Sequence, residues 1–348
     1  MKNNNLDIRF SAEWHPQAAI MLTWPHANTD WQAILQEVIP CFVAIAEEIL
    51  RHEKLIIVCS SIADVKSALG EQTDYSRIIF REIPSNDTWA RDHGPISIFV
   101  NGKPSVLDFT FNGWGLKFPA NWDNQITRKL YQSEVFDSKV EYIPVYDMVL
   151  EGGSIESDGQ GTILTTSQCL FAPNRNEYQD TEEAEDYLKL LLGAHRVLWL
   201  DFGCLAGDDT DSHIDTLARF CNPETIAYVR CTDENDEHFA DLSYMEEELQ
   251  AFLTSKGKPY HLIPLPMAEA VYDAAGKRLP ATYANFLIIN DAVLMPTYDS
   301  PLDEVAKAAL QTAFPERKIV TVNCLPLIKQ HGSLHCVTMQ IPQEFLPQ

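Results

Sequence analysis

Short apolar runs recur along the whole chain, and amphipathic segments separate them. The runs are rich in β-branched residues, as in KLIIVCS (54–60), TIAYVRC (225–231) and HCVTMQIP (335–342), which indicates strands. Apolar residues spaced three and four positions apart indicate helices. The clearest helical segments are 31–51, 60–69, 181–193, 244–256 and 301–314. Alternation of strands with helices predicts an α/β protein.

The spacing of these units also bears on domain organisation. Strand–helix units return roughly every sixty to seventy residues, so about five fit, although no literal sequence repeat is visible. No Ser/Gly-rich linker or long charge run divides the chain. We therefore expect a single domain over residues 1–348.

The charge balance limits the possible partners. The chain has 26 Lys and Arg against 50 Asp and Glu, a net charge of −24. Such a surface repels nucleic acid and anionic membranes and attracts cations. The N-terminal sequence lacks a signal-peptide apolar core, and no run reaches membrane-spanning length. We expect a cytoplasmic protein with no nucleic-acid or membrane partner.

Sequence motifs give no support for a nucleotide cofactor or a zinc site. There is no GxGxxG after a strand and no GxxxxGK[ST], so a Rossmann or P-loop site is unsupported. The eight cysteines form no CxxC pair and no zinc-type spacing. Several lie in strand-like runs, where a free cysteine acts as a small buried hydrophobe.

Cys336 stands out because it directly follows a histidine in HGSLHC (331–336). Taken alone it fits a buried residue at the start of a strand, a metal ligand or a nucleophile. An unperturbed thiol is mostly protonated at neutral pH, so catalysis would require a cationic neighbour or substrate.

Three other segments place ionisable residues at turns. NDTWARDHGP (86–95) precedes the strand ISIFV, and EGGS (151–154) follows an apolar pair. DDTDSHID (208–215) holds four aspartates and one histidine, which could ligate a divalent metal or place His213 and Asp215 in one pocket. Each segment alone also fits a solvated or capped turn.

Taken in order, nine short motifs make the pattern specific. They are EW.PQ (13–17), TWPH (23–26), NDTWARDHGP (86–95), GWG.K (113–117), EGGS (151–154), APNRN (172–176), HID (213–215), YANF (283–286) and HC.T (335–338). In these motifs the chain resembles the agmatine deiminase/bacterial peptidylarginine deiminase family over nearly its whole length. The resemblance implies the pentein fold, a five-bladed α/β propeller of ββαβ-type units around a pseudo-fivefold axis. It also implies guanidine hydrolysis without a metal or cofactor.

Site residues follow from the resemblance, motif by motif. The nucleophile is Cys336, the acid/base is His213, and the carboxylate partner of His213 is Glu151. Asp92 and Asp215 are the carboxylates that bind the guanidinium, because a carboxylate matches its planar fork of N–H donors.

Two tryptophans are candidate pocket walls. Trp89 is expected along the alkyl chain of the substrate, and Trp114 beside it. For both residues, plain core packing remains an alternative.

Two departures from the family pattern bear on loop shape. The stretch before His-Cys is HGSL (331–334) where the family is glycine-rich, and Ser212 replaces the glycine before the HID motif. Neither departure removes a reacting group.

The acidic composition and the absence of a signal peptide favour agmatine, a small dication, as substrate. Free arginine or peptidyl-arginine is the alternative guanidine. An amidinotransferase would use the same residues but pass the amidino group to an amine. A metallohydrolase would bind its metal at DDTDSHID. A catalytically inactive family member would bind a guanidine without turnover. By analogy with the family, a homo-oligomer is possible.

Overall fold

The computed structural model describes residues 6–347. The ends of the predicted domain, residues 1–5 and 348, lie outside the described residues, as does the start of the N-terminal sequence used above.

The strands alternate with helices from end to end. The strands are β1 (Ile8–Phe10), β2 (Gln17–Thr23), β3 (Lys54–Cys59), β4 (Ile78–Glu82), β5 (Ile96–Val100), β6 (Lys103–Thr110), β7 (Glu141–Val149), β8 (Ile155–Ser157), β9 (Thr162–Thr166), β10 (Arg196–Leu200), β11 (Ala218–Asn222), β12 (Thr225–Arg230), β13 (His261–Pro266), β14 (Val271–Tyr272), β15 (Arg278–Leu279), β16 (Leu287–Ile288), β17 (Ala292–Thr297), β18 (Lys318–Asn323) and β19 (Thr338–Pro342).

The helices lie between these strands. They are α1 (Leu35–Leu50), α2 (Ile62–Leu69), α3 (Ala90–His93), α4 (Gly113–Leu116, a single turn), α5 (Ile126–Gln132), α6 (Ser167–Leu170), α7 (Thr181–Leu192), α8 (Phe239–Ala251), α9 (Asp303–Ala313) and α10 (Leu325–Ile328). Short 3-10 segments occur at Asp30–Ile34, Tyr75–Arg77, Asp123–Gln125, Gly152–Ser154, Ile214–Thr216 and Gln343–Phe345.

Within the described residues, the strands form five sheets of three or four strands and one two-stranded ribbon, β14–β15. The sheet orders are β1-β5-β6-β7, β10-β9-β8, β11-β12-β13, β16-β17-β18 and β19-β2-β3-β4. Each of these five sheets contains at least one antiparallel pair and one parallel pair that share a strand, as in β11, β12 and β13. A parallel neighbour requires a crossover, and a helix provides it in every case.

The α/β class predicted from the sequence is confirmed. The predicted helical segments correspond to α1, α2, α7, α8 and α9, with α8 shifted about five residues toward the N-terminus. The arrangement of the sheets around one pseudo-fivefold axis remains a prediction.

Helix α1 shows how the sequence pattern builds a layer. Its buried residues Val38, Phe42, Ile45 and Ile49 recur at helical spacing and belong to the apolar core that includes β3. The next helix, α2, begins where the Ser61 side chain accepts a hydrogen bond from the Asp64 amide. No helix in residues 6–347 has the length and apolarity needed to cross a lipid bilayer.

The strand predicted over 335–342 begins later than expected. β19 starts at Thr338, because the Thr338 amide donates to the His335 carbonyl at 3.0 Å and closes a turn. Cys336 therefore lies in the turn before the strand, not in the strand.

Candidate active site

Segments that lead into a strand of each of the five larger sheets supply the site. The segments that lead into β5, β8, β11, β16 and β19 carry Asp92, Glu151, His213 with Asp215, Asn285 and Cys336 respectively. These side chains are almost fully buried, with Cys336 and Asp92 each 5% exposed. The structure thus brings together the five residues predicted to be catalytic, and adds Asn285.

Cys336 is held between an amide and a carboxylate. Its thiol donates to Asn285 Oδ1 at 3.4 Å and lies 3.8 Å from Asp215 Oδ2. The Arg91 amide donates to its carbonyl at 3.1 Å, which fixes the backbone. Burial raises the pKa of the Cys336 thiol well above its usual value, and the charges of Asp215 and Asp92 raise it further. Both effects favour the neutral thiol of Cys336 over the thiolate.

Asp92 is fixed by two donors. Oδ1 accepts the Gly153 amide and Oδ2 accepts the Trp114 indole N–H, both at 3.0 Å. Burial raises the pKa of Asp92 to about 6, although the His213 charge opposes the shift. Trp114 therefore orients a carboxylate, in addition to lining the pocket as predicted.

The turn that carries Trp114 has an unusual backbone. Gly113, Trp114, Gly115 and Leu116 have φ of 70°, 56°, 81° and 68°, all in the left-handed region. A Cβ on Gly113 would lie 2.2 Å from the Phe118 carbonyl oxygen, so only glycine fits there. Left-handed conformation in non-glycine residues is costly and persists where surrounding contacts enforce it.

His213 lies between two carboxylates at ion-pair distances. Its Nδ1 is 3.6 Å from Asp92 Oδ1, and its Nε2 is 3.9 Å from Glu151 Oε2. Burial lowers the pKa of His213, but the Asp92 charge and the neighbouring Cys169 and Glu151 raise it well above its usual value. The resting imidazole is therefore charged.

Glu151 has two partners. His213 Nε2 lies 3.9 Å from Glu151 Oε2, within ion-pair distance and beyond hydrogen-bond range. Arg175 Nε donates to both oxygens of Glu151 at 3.0 and 3.1 Å, and both side chains are fully buried. Arg175 also donates to Asp211 and to the Thr210 carbonyl, which ties Glu151 to the loop before His213.

Asp215 has one satisfied oxygen and one free oxygen. Oδ2 accepts from His335 Nδ1 at 2.7 Å, whereas Oδ1 has no hydrogen-bond partner among residues 6–347. An unsatisfied buried carboxylate oxygen is expensive and marks a place where a donor is expected.

A pocket reaches this constellation from the surface. We call it the Cys336 pocket; it encloses about 410 Å³ with its open mouth included. Its lining residues are Asp30, Asp87, Trp89, Asp92, Trp114, Phe118, Asp209, Thr210, Gln330, His331, Gly332 and Cys336. Within this described lining there are four aspartates and no lysine or arginine. Both predicted tryptophans lie in the wall.

Comparison with known proteins gives the family. The sequence model of the family described as Porphyromonas-type peptidyl-arginine deiminase matches residues 9–342. The chain belongs to this family. The resemblance seen in the sequence motifs is thereby confirmed, as is the enzyme class, a hydrolase of carbon–nitrogen bonds.

Family members of known structure superpose closely. A Porphyromonas gingivalis protein provisionally described as an arginine deiminase is 56% identical, covers 98% of this chain and 100% of its own, and has a TM-score of 0.94. A Campylobacter jejuni agmatine deiminase with substrate bound is 36% identical over 100% and 99% of the two chains, with a TM-score of 0.91. An agmatine deiminase of Ectopseudomonas mendocina is 33% identical over 95% of this chain and 94% of its own.

Ser212 and His331, in the two segments that depart from the expected pattern, have left-handed backbone. Their φ values are 67° and 68°, a region that favours glycine. The Ser212 side chain donates to Gln168, and the His331 Nδ1–H donates to the Gly207 carbonyl at 2.7 Å. Each replacement is therefore held by a side-chain hydrogen bond.

Three aspartates of the acidic segment DDTDSHID have different roles. Asp208 accepts from Thr210 and from the Ser212 amide and shapes the loop, and Asp211 pairs with Arg175. Asp209 lines the Cys336 pocket, with a pKa raised to about 6 by burial. The segment does not converge on one point as a metal site would.

Two buried clusters have donor atoms close enough for a metal ion. They are Glu151 with Cys169 and His213, and Glu13 with Glu156 and His335. In each, an arginine already pairs with the carboxylates: Arg175 with Glu151, and Arg219 with Glu13 and Glu156. A guanidinium in that position repels a cation, so neither cluster suits a metal.

Sequence reasoning missed three groups in the site. Asn285 and Arg175 lie within the motifs YANF and APNRN, so their positions were marked although no role was assigned to them. Cys169, whose sulfur lies within 4.8 Å of His213, falls outside every motif. No sequence signal pointed to it.

Proposed function

We propose that this protein is an agmatine deiminase that hydrolyses agmatine to N-carbamoylputrescine and ammonia through a covalent Cys336 intermediate. The supporting observation is the pairing of the buried thiol with two fixed carboxylates, one of which has a free oxygen. Asp215 Oδ1 lacks a donor, and Asp215 Oδ2 lies 3.8 Å from the sulfur. A guanidinium supplies the missing N–H donors and a carbon for sulfur to attack.

Asp92 and Asp215 bind the guanidinium in this proposal. Each carboxylate accepts N–H bonds along one edge of the planar cation, which leaves one face open to Cys336. Holding reactants in this geometry supplies several kcal/mol of the barrier. The bound positive charge also lowers the pKa of the thiol, whose proton then leaves to solvent.

Catalysis proceeds in two halves. The Cys336 thiolate attacks the guanidinium carbon, and the His213 imidazolium donates its proton to the departing nitrogen, so that a carbon–nitrogen bond breaks and ammonia leaves. Water then attacks the S-alkylthiouronium carbon while neutral His213 takes its proton. The carbon–sulfur bond breaks and the remaining hydroxyl proton leaves to solvent, giving N-carbamoylputrescine and the thiolate. The Glu151 carboxylate, 3.9 Å from His213 Nε2, stabilises the positive charge of the imidazolium electrostatically.

The acidic mouth favours agmatine over arginine. Asp30, Asp87 and Asp209 line the pocket, and burial raises the pKa of Asp87 and of Asp209 to about 6. They match the distal ammonium of agmatine, whereas the α-carboxylate of arginine is repelled. Trp89 covers the alkyl chain between the two charged ends.

We further propose that the five sheets form one domain over residues 1–348, arranged as a pseudo-fivefold propeller around this site. The recurrent ββαβ pairing and the similarity to solved family members support that arrangement. The only partner needed is a small cationic guanidine. A homo-oligomer stays a prediction.

Ammonia release from purified protein tests the substrate. Agmatine, free arginine and a blocked arginyl peptide are compared at equal concentration, with Cys336→Ala as the blank. Agmatine is expected to give the highest kcat/KM. Preference for arginine or the peptide would overturn the substrate assignment, and transfer of the amidino group to an added amine would indicate an amidinotransferase.

A further inference from the structure

Charged side chains form a buried chain that leads from Asp215 away from the pocket. Its members, in order, are Asp215, His335, Glu13, Arg219 and Glu156, and we call them the buried charge chain. The signs alternate along it, and no member is more than 7% exposed. None of the five lines the Cys336 pocket.

His335 occupies the middle of an acid–base–acid arrangement. Its Nδ1 lies 2.7 Å from Asp215 Oδ2, and its Nε2 lies 2.7 Å from Glu13 Oε2. An ionised carboxylate only accepts hydrogen bonds, so the Nδ1–H of His335 donates to Asp215. Nε2 also lies 3.0 Å from Arg219 Nη2, so Glu13 and Arg219 both contact that nitrogen and fix the ring.

The far end of the buried charge chain is anchored. Glu13 Oε1 accepts the Ile288 amide at 2.6 Å, and Oε2 accepts from Arg219 Nη2 at 2.9 Å. Arg219 donates to the Phe286 carbonyl at 2.5 Å and pairs with Glu156. Glu13 cannot move without breaking several buried bonds, so the orientation of His335 is fixed.

The backbone adds a second restraint. Asn285 Oδ1 accepts the His335 amide at 2.8 Å, and Asn285 Nδ2 donates to the Asp215 carbonyl at 3.2 Å. His335 and Asp215 are thus held by main-chain as well as side-chain contacts, next to Cys336.

We propose that His335 is a positioning residue for guanidine binding. It holds Asp215 as an anion with Oδ1 free for the substrate, and Glu13 fixes the orientation of the His335 ring. The ligand in this inference rests on the proposed function. His335 acts through Asp215 and does not touch the substrate.

The electrostatics of Asp215 agree with this role. Burial raises the pKa of Asp215, but the hydrogen bond and charge of His335, together with the charges of His213 and Arg219, hold that pKa below its usual value. The other charged or titratable groups that face Asp215 are Arg91, Asp92 and Cys336. Among the basic side chains of residues 6–347, His335 is the one that donates a hydrogen bond to the carboxylate.

His335→Asn removes the imidazole and keeps an N–H donor near the position of Nδ1. Because His335 lowers the pKa of Asp215, that pKa rises without it, so a higher pH is needed to ionise the carboxylate. We expect kcat/KM for agmatine to fall about tenfold at pH 7, mainly through KM, and its acid limb to move up by about one pH unit. A merely structural role would lower the profile equally at every pH.

Glu13→Gln keeps an acceptor for His335 Nε2 but removes the charge. The His335 ring then loses the charged acceptor that fixes it, so its Nδ1–H holds Asp215 less firmly. We expect kcat/KM for agmatine to fall in this variant too, mainly through KM, and to fall less than in His335→Asn. Melting curves check folding, and if His335→Asn does not fold, Glu13→Gln carries the test.

Alkylation of Cys336 separates this inference from the proposed activity. Chloroacetamidine is a cation that forms a carbon–sulfur bond with loss of chloride, and iodoacetamide is its neutral counterpart. We expect wild-type protein to prefer the amidine and both variants to lose about tenfold of that preference. If wild-type protein shows this preference and the variants lose it, but wild-type protein does not turn over agmatine, the proposed function is rejected and the role of His335 is kept. An unchanged preference with unshifted pH limbs would overturn the inference.

Discussion

The indole N–H of Trp114 donates to Oδ2 of Asp92 at 3.0 Å, and it does so from a turn whose residues all have positive φ. A strained backbone segment thus ends in a hydrogen bond to a carboxylate beside Cys336. Strain at such a position indicates a functional constraint, because ordinary packing of an indole does not require it.

Trp114→Phe keeps the ring and removes this donor. Hydrogen bonds to charged groups contribute about 1.5–3 kcal/mol, so we expect kcat/KM for agmatine to fall at least tenfold. The pKa of Asp92 should also rise, which moves the acid limb of kcat/KM upward. Trp122→Phe is the matched control, since Trp122 is 43% exposed and outside the Cys336 pocket. Equal activity of the two variants would contradict the role given to Trp114.

Arg175→Gln leaves Glu151 buried without its bidentate partner. Removing one member of a buried ion pair typically destabilises a protein by about 3–5 kcal/mol. We expect a loss of that size in the free energy of unfolding, measured with urea. Lys103→Gln, which breaks the exposed pair with Glu141, should change it by less than about 0.5 kcal/mol. A small effect of Arg175→Gln would show that the pair does not stabilise the fold.

Asp209→Asn tests the acidic mouth. If Asp209 binds the distal ammonium, KM for agmatine should rise about tenfold with little change in kcat, and discrimination against arginine should fall. The measurement is steady-state kinetics on both substrates. Asp186→Asn, at a side chain 74% exposed on α7, serves as control. Unchanged discrimination would remove Asp209 from substrate recognition.

The raised pKa values of three aspartates determine how agmatine binding depends on pH on the acidic side. Asp87, Asp92 and Asp209 each have a pKa near 6 because of burial. Protonated below that pH, they cannot bind a cation, so agmatine binding should weaken as pH falls from 7 to 5.

The same groups act oppositely on the free protein. A folded pKa above the unfolded value means that the folded state binds more protons, so their contribution to stability is present below about pH 4 and is lost as pH rises through about 6. Because agmatine binds the ionised carboxylates, its stabilisation of the inactive variant Cys336→Ala should be larger at pH 7 than at pH 5. The measurement is the rise in melting temperature on adding agmatine. An equal rise at both pH values would contradict ionic binding.

Much of the site could be predicted because its residues lie in short motifs that resemble those of the family. The motif residues Asp92, His213, Asp215 and Cys336 lie in short polar segments between apolar runs, each leading into a strand. Turn chemistry and strand onset are local properties, so the sequence predicted where these segments lie, whereas the roles of their residues followed from the resemblance.

The remaining features depend on contacts between distant residues. Glu151 pairs with Arg175, 24 residues away, and His335 pairs with Glu13, 322 residues away. No local pattern encodes which buried charges will meet, so the sequence did not predict the Arg175–Glu151 pair or the Glu13–His335 contact. The start of β19 was also misjudged, because a turn closed by Thr338 interrupts an apolar run that looks continuous in sequence.

Mass spectrometry of protein quenched in acid during turnover tests the central claim most directly. The account predicts that Cys336, and no other cysteine, gains the mass of agmatine less ammonia, and that Cys336→Ala gains nothing and releases no ammonia. Turnover of agmatine by Cys336→Ala, or an adduct on a different residue, would contradict it.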